Sequence, residues 1–221
     1  NWNFQLWLQT LTLKLMTLFD DIRKRARIIV IDDDEEAFPY RLLQKEGYNV
    51  QYWEKVENLR DLENGEYDLI VLDIFGVAPV EISANDGLGI LEHLKKHNPA
   101  QLVIAYSGQK YDLSQASFWS LADDYLGKPS SLIDCKQKID ALLKENFTPK
   151  HYWTTAIEVL RGVGVTQKQL NSFEKQIIKS VIKKQSQPTK EAIAQTLSIS
   201  HHTAATIWVL IQAISKFFMP A

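Results

Sequence analysis

Cysteine is nearly absent from this 221-residue chain: Cys135 stands alone. An intrachain disulfide is thereby excluded, and a reducing, cytoplasmic setting is the expectation. Long apolar runs are missing as well. Residues 1–26 come nearest, yet Asn1, Asn3, Gln5, Gln9, Thr10, Thr12 and Thr17 interrupt them too often for a spanning helix. No small-residue cleavage site follows, which argues against a secretory leader. Charge is scarce at this end, where Lys14 is the sole charged side chain before Asp20. An excess of charge over apolar residues, the mark of a disordered chain, is missing too: 45% of residues are hydrophobic against 24% charged.

What is present is an uneven charge distribution behind a net charge of −2. Residues 1–26 carry net +2, residues 27–150 net −9 (13 basic, 22 acidic), and residues 151–221 net +5 (eight basic, three acidic). An acidic middle and a basic tail suggest two modules with different partners. In residues 1–26, Leu11, Leu15, Leu18, Phe19 and Ile22 recur at helical spacing and Arg23-Lys24-Arg25-Ala26-Arg27 closes the stretch. An amphipathic helix is expected there. With Trp2 and Trp7 it could make peripheral membrane contact; the favoured expectation is a helix that packs on its own protein or pairs in a dimer.

Residues 27–146 alternate apolar runs with amphipathic stretches. Strands are expected at Arg27–Ile31, Asn49–Trp53, Leu69–Leu72, Leu102–Tyr106 and Tyr125–Leu126. Helices are expected through Phe38, Leu42 and Leu43, then at Val56–Leu62, Leu88–His97, Ala116–Leu121 and Leu132–Leu143. Five β–α alternations predict an α/β, doubly wound parallel sheet with functional groups at the carboxyl ends of its strands. At those ends stand Asp32-Asp33-Asp34, Asp73, Ser107 and Lys128-Pro129. Converging carboxylates repel one another unless a cation lies among them, and hard oxygen ligands suit Mg²⁺. A carboxylate can attack phosphorus, while a lysine and a hydroxyl bind the phosphoryl oxygens. Any one strand-end acid is weak evidence; the coincidence of four positions is strong.

These residues carry a resemblance. Arg27–Glu145 resembles the response-regulator receiver family, whose tandem acids match Asp32 and Asp33 and whose phosphoacceptor matches Asp73 in Tyr67-Asp68-Leu69-Ile70-Val71-Leu72-Asp73. Its switch hydroxyl matches Ser107, its Lys-Pro pair matches Lys128 and Pro129, and its aromatic switch matches Tyr125. The resemblance implies a flavodoxin-like sheet of order 2-1-3-4-5, Mg²⁺ held by Asp32, Asp33, Asp73 and the backbone carbonyl of Phe75, and a cis peptide before Pro129. It also implies a sensor histidine kinase or phosphotransfer protein as partner and a homodimer on activation. Such a domain catalyses only its own aspartyl phosphorylation and dephosphorylation and is not otherwise an enzyme; an unrelated metal-dependent phosphatase is the remaining catalytic alternative. One departure from the family is the segment Val80–Asn85, an insertion that delays the Asp86-Gly87 pair by about six residues and leaves phosphoryl lifetime open.

In the tail, residues 147–150 suggest a linker to a helical domain, 147–221. Helices are expected at His151–Leu160, Gln167–Lys184, Thr189–Leu197 with Thr189 as N-cap, and His201–Phe218. Residues 189–215 have helix-turn-helix spacing and resemble the LuxR/NarL type, with Ile193, Ala194, Leu197, Ile199 and Ile207 as core. This implies transcription regulation, with His201, His202, Thr203, Thr206, Gln212 and Lys190 as candidate DNA contacts. Against it, His201–Ser215 contains no Lys or Arg, whereas base and phosphate readers are commonly basic. The alternative is a phosphorylation-switched protein-interaction or dimerisation module. Adjacent His201 and His202 point in different directions on a helix, which argues against a metal site there.

Overall fold

The computed structural model describes residues 19–108, 120–182 and 187–218. The chain divides into two compact units between Phe147 and Thr148.

The first unit holds a five-stranded parallel sheet of order β2-β1-β3-β4-β5. Its strands are β1 (Arg27–Ile31), β2 (Asn49–Trp53), β3 (Leu69–Asp73), β4 (Leu102–Ser107) and β5 (Asp124–Gly127). The expected α/β fold and strand order are those observed. β3 and β4 are buried at every position, whereas the edge strands β2 and β5 expose alternate residues. Continuous apolar runs such as Leu69–Leu72 suit strands covered on both faces. One face packs Ile29, Ile31, Ile70, Leu72, Val103 and Ala105 against Leu62 of helix α3 (Leu59–Glu63) and Ile90, Leu91 and Leu94 of α4 (Asp86–His97). The alternate residues Ile28, Val30, Val71 and Ile104 are equally buried. Helix α5 (Leu132–Asn146) starts in a capping box between Ser131 and Asp134.

Several elements depart from expectation. Helix α2 spans only Tyr40–Lys45. Pro39 restricts the residue before it, so the chain cannot wind into a helix at Phe38. Phe38 is instead a buried anchor, its ring edge-on to Tyr106 at 5.1 Å. Val56 is buried in a loop rather than a helix, its N–H donating to the Val77 carbonyl at 2.8 Å; α3 begins later, capped by Asn58. Helix α1 (Phe19–Arg25), which the sequence places in an N-terminal segment 1–26, belongs to this unit. Ile22 is buried, and Arg23 pairs with Asp140 of α5 at 2.6 Å while lying over the Tyr48 ring. The remainder of segment 1–26 and most of the expected helix at 116–121 lie outside the described residues.

The second unit is helical: α6 (Pro149–Gly162), α7 (Gln167–Ile182), α8 (Lys190–Leu197) and α9 (His201–Lys216). The expected linker 147–150 is corrected here. Thr148 caps α6 by accepting from His151 N–H, and Pro149 occupies the first turn, where its missing N–H costs nothing. Trp153 stacks near Phe173, and Leu160, Leu170, Ile177, Ile193, Ile207, Leu210 and Ile214 complete a buried core. Of the five expected core positions between α8 and α9, Ile193, Ala194, Leu197 and Ile207 are buried and Ile199 is half-buried. No helix among the described residues is long and apolar enough to cross a membrane.

Candidate phosphoacceptor site

Parallel strands bring their carboxyl ends to one edge of the sheet, and the acids follow. Asp32 comes directly after β1, Asp73 ends β3, Ser107 ends β4 and Lys128 follows β5. Lys128 Nζ stands 2.7 Å from Asp32 Oδ2 and 2.7 Å from Asp73 Oδ2. Asp32 and Asp73 are buried while Asp33 is exposed, and one carboxylate oxygen from each of the three lies within 4.8 Å of the others. Asp32 Oδ1 accepts from Asp34 N–H at 3.0 Å, Tyr52 OH donates to the Asp32 carbonyl, and Ile74 N–H donates to Asp73 Oδ1 at 2.6 Å.

Burial raises the Asp32 pKa above its ordinary value; Lys128 and the Asp34 N–H oppose that rise, and the charge of Asp73 adds to it. Burial also works against the Lys128 ammonium, but hydrogen bonds and charge from Asp32 and Asp73 outweigh it and raise its pKa. One ammonium therefore serves two buried carboxylates, with a third acid, Asp33, beside them. Asp32 Oδ2 meets Lys128 and no other donor among the described residues. A surplus of negative charge on hard oxygen atoms, one of them buried, fits a hard divalent cation such as Mg²⁺.

The loop after Asp73 is shaped from the far side of the insertion. Asp86 accepts from Gly76 N–H at 2.5 Å, Val77 N–H at 3.0 Å and Ala78 N–H at 2.8 Å. The Ile82 and Ser83 N–H groups fold back on the Pro79 carbonyl, so the inserted residues close on themselves and Asp86 still reaches the loop. Gly76 has φ +77°, and a Cβ there would lie 2.3 Å from Asp33 Oδ2; a Cβ on Gly87 would lie 2.2 Å from the Asp73 carbonyl oxygen. Both positions need glycine for the loop to approach the acids. Phe75 and Val80 expose their side chains, at 46% and 78%. The anchoring role of Asp86 was not foreseen, although the displaced Asp-Gly pair was its signal.

The remaining site residues lie around this cluster. Ser107 is buried and in register with Gly127, and its carbonyl accepts from Lys128 N–H at 2.9 Å. The Lys128–Pro129 peptide is cis. Tyr125 is 62% exposed, with Lys138 Nζ 5.4 Å from its ring centroid.

In the helical unit, Thr189 caps α8, Ser198 takes the left-handed conformation at φ 56°, and Ser200 caps α9 through Thr203 N–H. His201 and His202 are exposed at the start of α9. Two of the expected DNA contacts are engaged within the unit. Thr206 is buried, its hydroxyl turned to the His202 carbonyl of its own helix; Gln212 is half-buried and donates to Gln187 Oε1. Thr203 is half-buried, its hydroxyl against Ser200, and Lys190 Nζ sits 4.6 Å above the Trp208 ring.

Fold and acidic cluster together are those of a receiver-type domain on a doubly wound sheet. The response regulator receiver domain family matches residues 28–140, and this chain belongs to it. The transcriptional regulatory protein CiaR of Streptococcus pneumoniae is 32% identical over 125 residues, 54% of this chain and 52% of CiaR. The uncharacterised transcriptional regulatory protein YcbL of Bacillus subtilis is 30% identical over 119 residues, 52% of this chain and 50% of YcbL. The chain thus spans about half the length of these curated relatives. Among solved structures, a CheY-like receiver domain protein from Methanospirillum hungatei aligns with 28% identity and a TM-score of 0.46, covering 55% of this chain and 95% of that one.

Proposed function

We propose that this chain is a phosphorelay response regulator whose Asp73 accepts a phosphoryl group from a sensor histidine kinase or phosphotransfer protein. The observation that carries this reading is the placement of Lys128 Nζ 2.7 Å from both Asp32 and Asp73, with Asp33 alongside. A carboxylate oxygen of Asp73 forms the new bond to phosphorus as the bond to the donor breaks. Asp32, Asp33, Asp73 and the backbone carbonyl of Phe75 would hold Mg²⁺, which when bound neutralises charge on the transferring group. Lys128 and the Ser107 hydroxyl bind phosphoryl oxygens, and Tyr125, now exposed, follows Ser107 inward and alters a surface used for homodimerisation.

The output rests on the helical unit, and a DNA-binding, transcription-regulating role is the reading we favour. Its support is the α8–turn–α9 geometry with both helices capped. The interaction-module reading keeps its own observation: His201–Ser215 lacks Lys and Arg, and Thr206 and Gln212 are committed within the unit.

Incubation with a small phosphodonor and Mg²⁺ tests the site. Intact mass spectrometry is expected to show one added phosphoryl group on the wild type and none on Asp73→Asn. Equal gain by both proteins would overturn the assignment.

A further inference from the structure

On the α3–α4 side of the receiver, outside the acidic trio, lies a second constellation of ligand-type side chains. His93 and His97 sit four residues apart on α4, so both rings project from one helical face. Glu63, the last residue of α3, reaches them: its Oε1 is 2.6 Å from His93 Nε2. The two imidazole centroids are 4.1 Å apart, and one ligand atom from each of the three residues lies within 4.8 Å of the others. We propose that Glu63, His93 and His97 form a binding site for a first-row divalent cation of the Zn²⁺ type, with water completing the coordination.

The donor set decides the class of ion. Two imidazoles and one carboxylate match sites that hold Zn²⁺ with an open position, whereas the all-carboxylate trio suits Mg²⁺. His97 is prepared for ligation. Its Nδ1 lies 2.8 Å from the His93 carbonyl, a group that can only accept, so the ring proton is on Nδ1 and the lone pair on Nε2. His93 needs one change: its Nε2 proton, now directed at Glu63, moves to Nδ1 or to solvent, freeing Nε2 for the metal. Ligands of a tetrahedral ion at about 2.0–2.1 Å stand roughly 3.3 Å apart, so His93 and Glu63 must separate by under about 1 Å. Their side chains are 35% and 31% exposed, which leaves room for that rotation and an entry path from solvent. A plain His93–Glu63 hydrogen bond is the rival account.

Calorimetric titration of the full chain with Zn²⁺, in millimolar Mg²⁺ to compete at the acidic trio, separates the two accounts. The wild type is expected to bind one equivalent. His93→Gln and His97→Gln should each weaken binding at least about tenfold, while His201→Gln leaves it unchanged. Co²⁺ substitution should give a visible absorption band that both variants lose, and circular dichroism checks that they remain folded. Equal Zn²⁺ binding by the wild type and the double variant, or no saturable uptake by the wild type, would overturn the proposal.

Discussion

At Lys128 the same contacts set both chemistry and stability. Its ammonium is the sole cation given to Asp32 and Asp73 by the described residues, and burial makes the charged form of Asp32 costly. Because the folded pKa of Asp32 is raised above its ordinary value, the group favours the folded state below the ordinary carboxylate range. That contribution is lost as pH rises through the folded pKa, so at neutral pH the buried carboxylate is a standing cost in the metal-free protein. Asp32→Asn should therefore raise the melting temperature in chelator at neutral pH by a few degrees, with the gain fading in acid. Lys128→Met should do the opposite, costing on the order of 3 kcal/mol by leaving two buried carboxylates without their cation. Millimolar Mg²⁺ should recover part of that loss. Thermal denaturation in chelator and in Mg²⁺ measures both; a neutral-pH melting temperature lower for Asp32→Asn than for wild type would contradict this account.

Helix α4 links the loop to the core at the scale of elements. Its first residue, Asp86, holds three N–H groups of the loop after Asp73, and Gly87 lets the helix close on the Asp73 backbone. Asp86→Ala leaves those donors without their carboxylate and should cost about 1–3 kcal/mol, seen as a lower denaturation midpoint. It should also slow phosphorylation of Asp73 by a small phosphodonor, since the loop carrying Phe75 loses its anchor; an unchanged rate would mean that the loop is held by other contacts. The strands and the acids at their ends were legible because short apolar runs and the Asp, Ser and Lys residues that follow them occur together in sequence. Helix starts were less so, since Phe38 and Val56 are apolar for loop packing, a role that periodicity does not distinguish from a helical stripe. The Asp86 anchor and the Glu63–His93–His97 group depend on pairs 8 to 34 residues apart, which become neighbours only once the chain has folded. Thr206 is suited to DNA by type, yet it is buried and its hydroxyl is turned to the backbone of its own helix.

Across the whole chain, charge divides the work: net −9 over residues 27–150 and net +5 over residues 151–221. That division bears on which output the helical unit delivers. If it binds DNA, His201, His202 and Thr203 at the start of α9 face the bases, and the lysines of neighbouring elements must hold the phosphates. The sequence offers Lys179, Lys183, Lys184 and Lys190 for that task. Each phosphate neutralised contributes about −0.9 to the slope of log affinity against log salt, so four contacts give about −3.6. Beryllofluoride-activated protein titrated with genomic DNA fragments at several salt concentrations should show a slope near that value, with Asp73→Asn binding weakly at every salt. Replacing Lys179 and Lys190 by glutamine should flatten the slope by about 2. Lys190 is the sharper half of that test, because its ammonium rests on the Trp208 ring and a phosphate must draw it away. No binding in either phosphorylation state would assign α9 to a protein partner instead, and the basic charge of the tail would then serve an acidic surface on that partner.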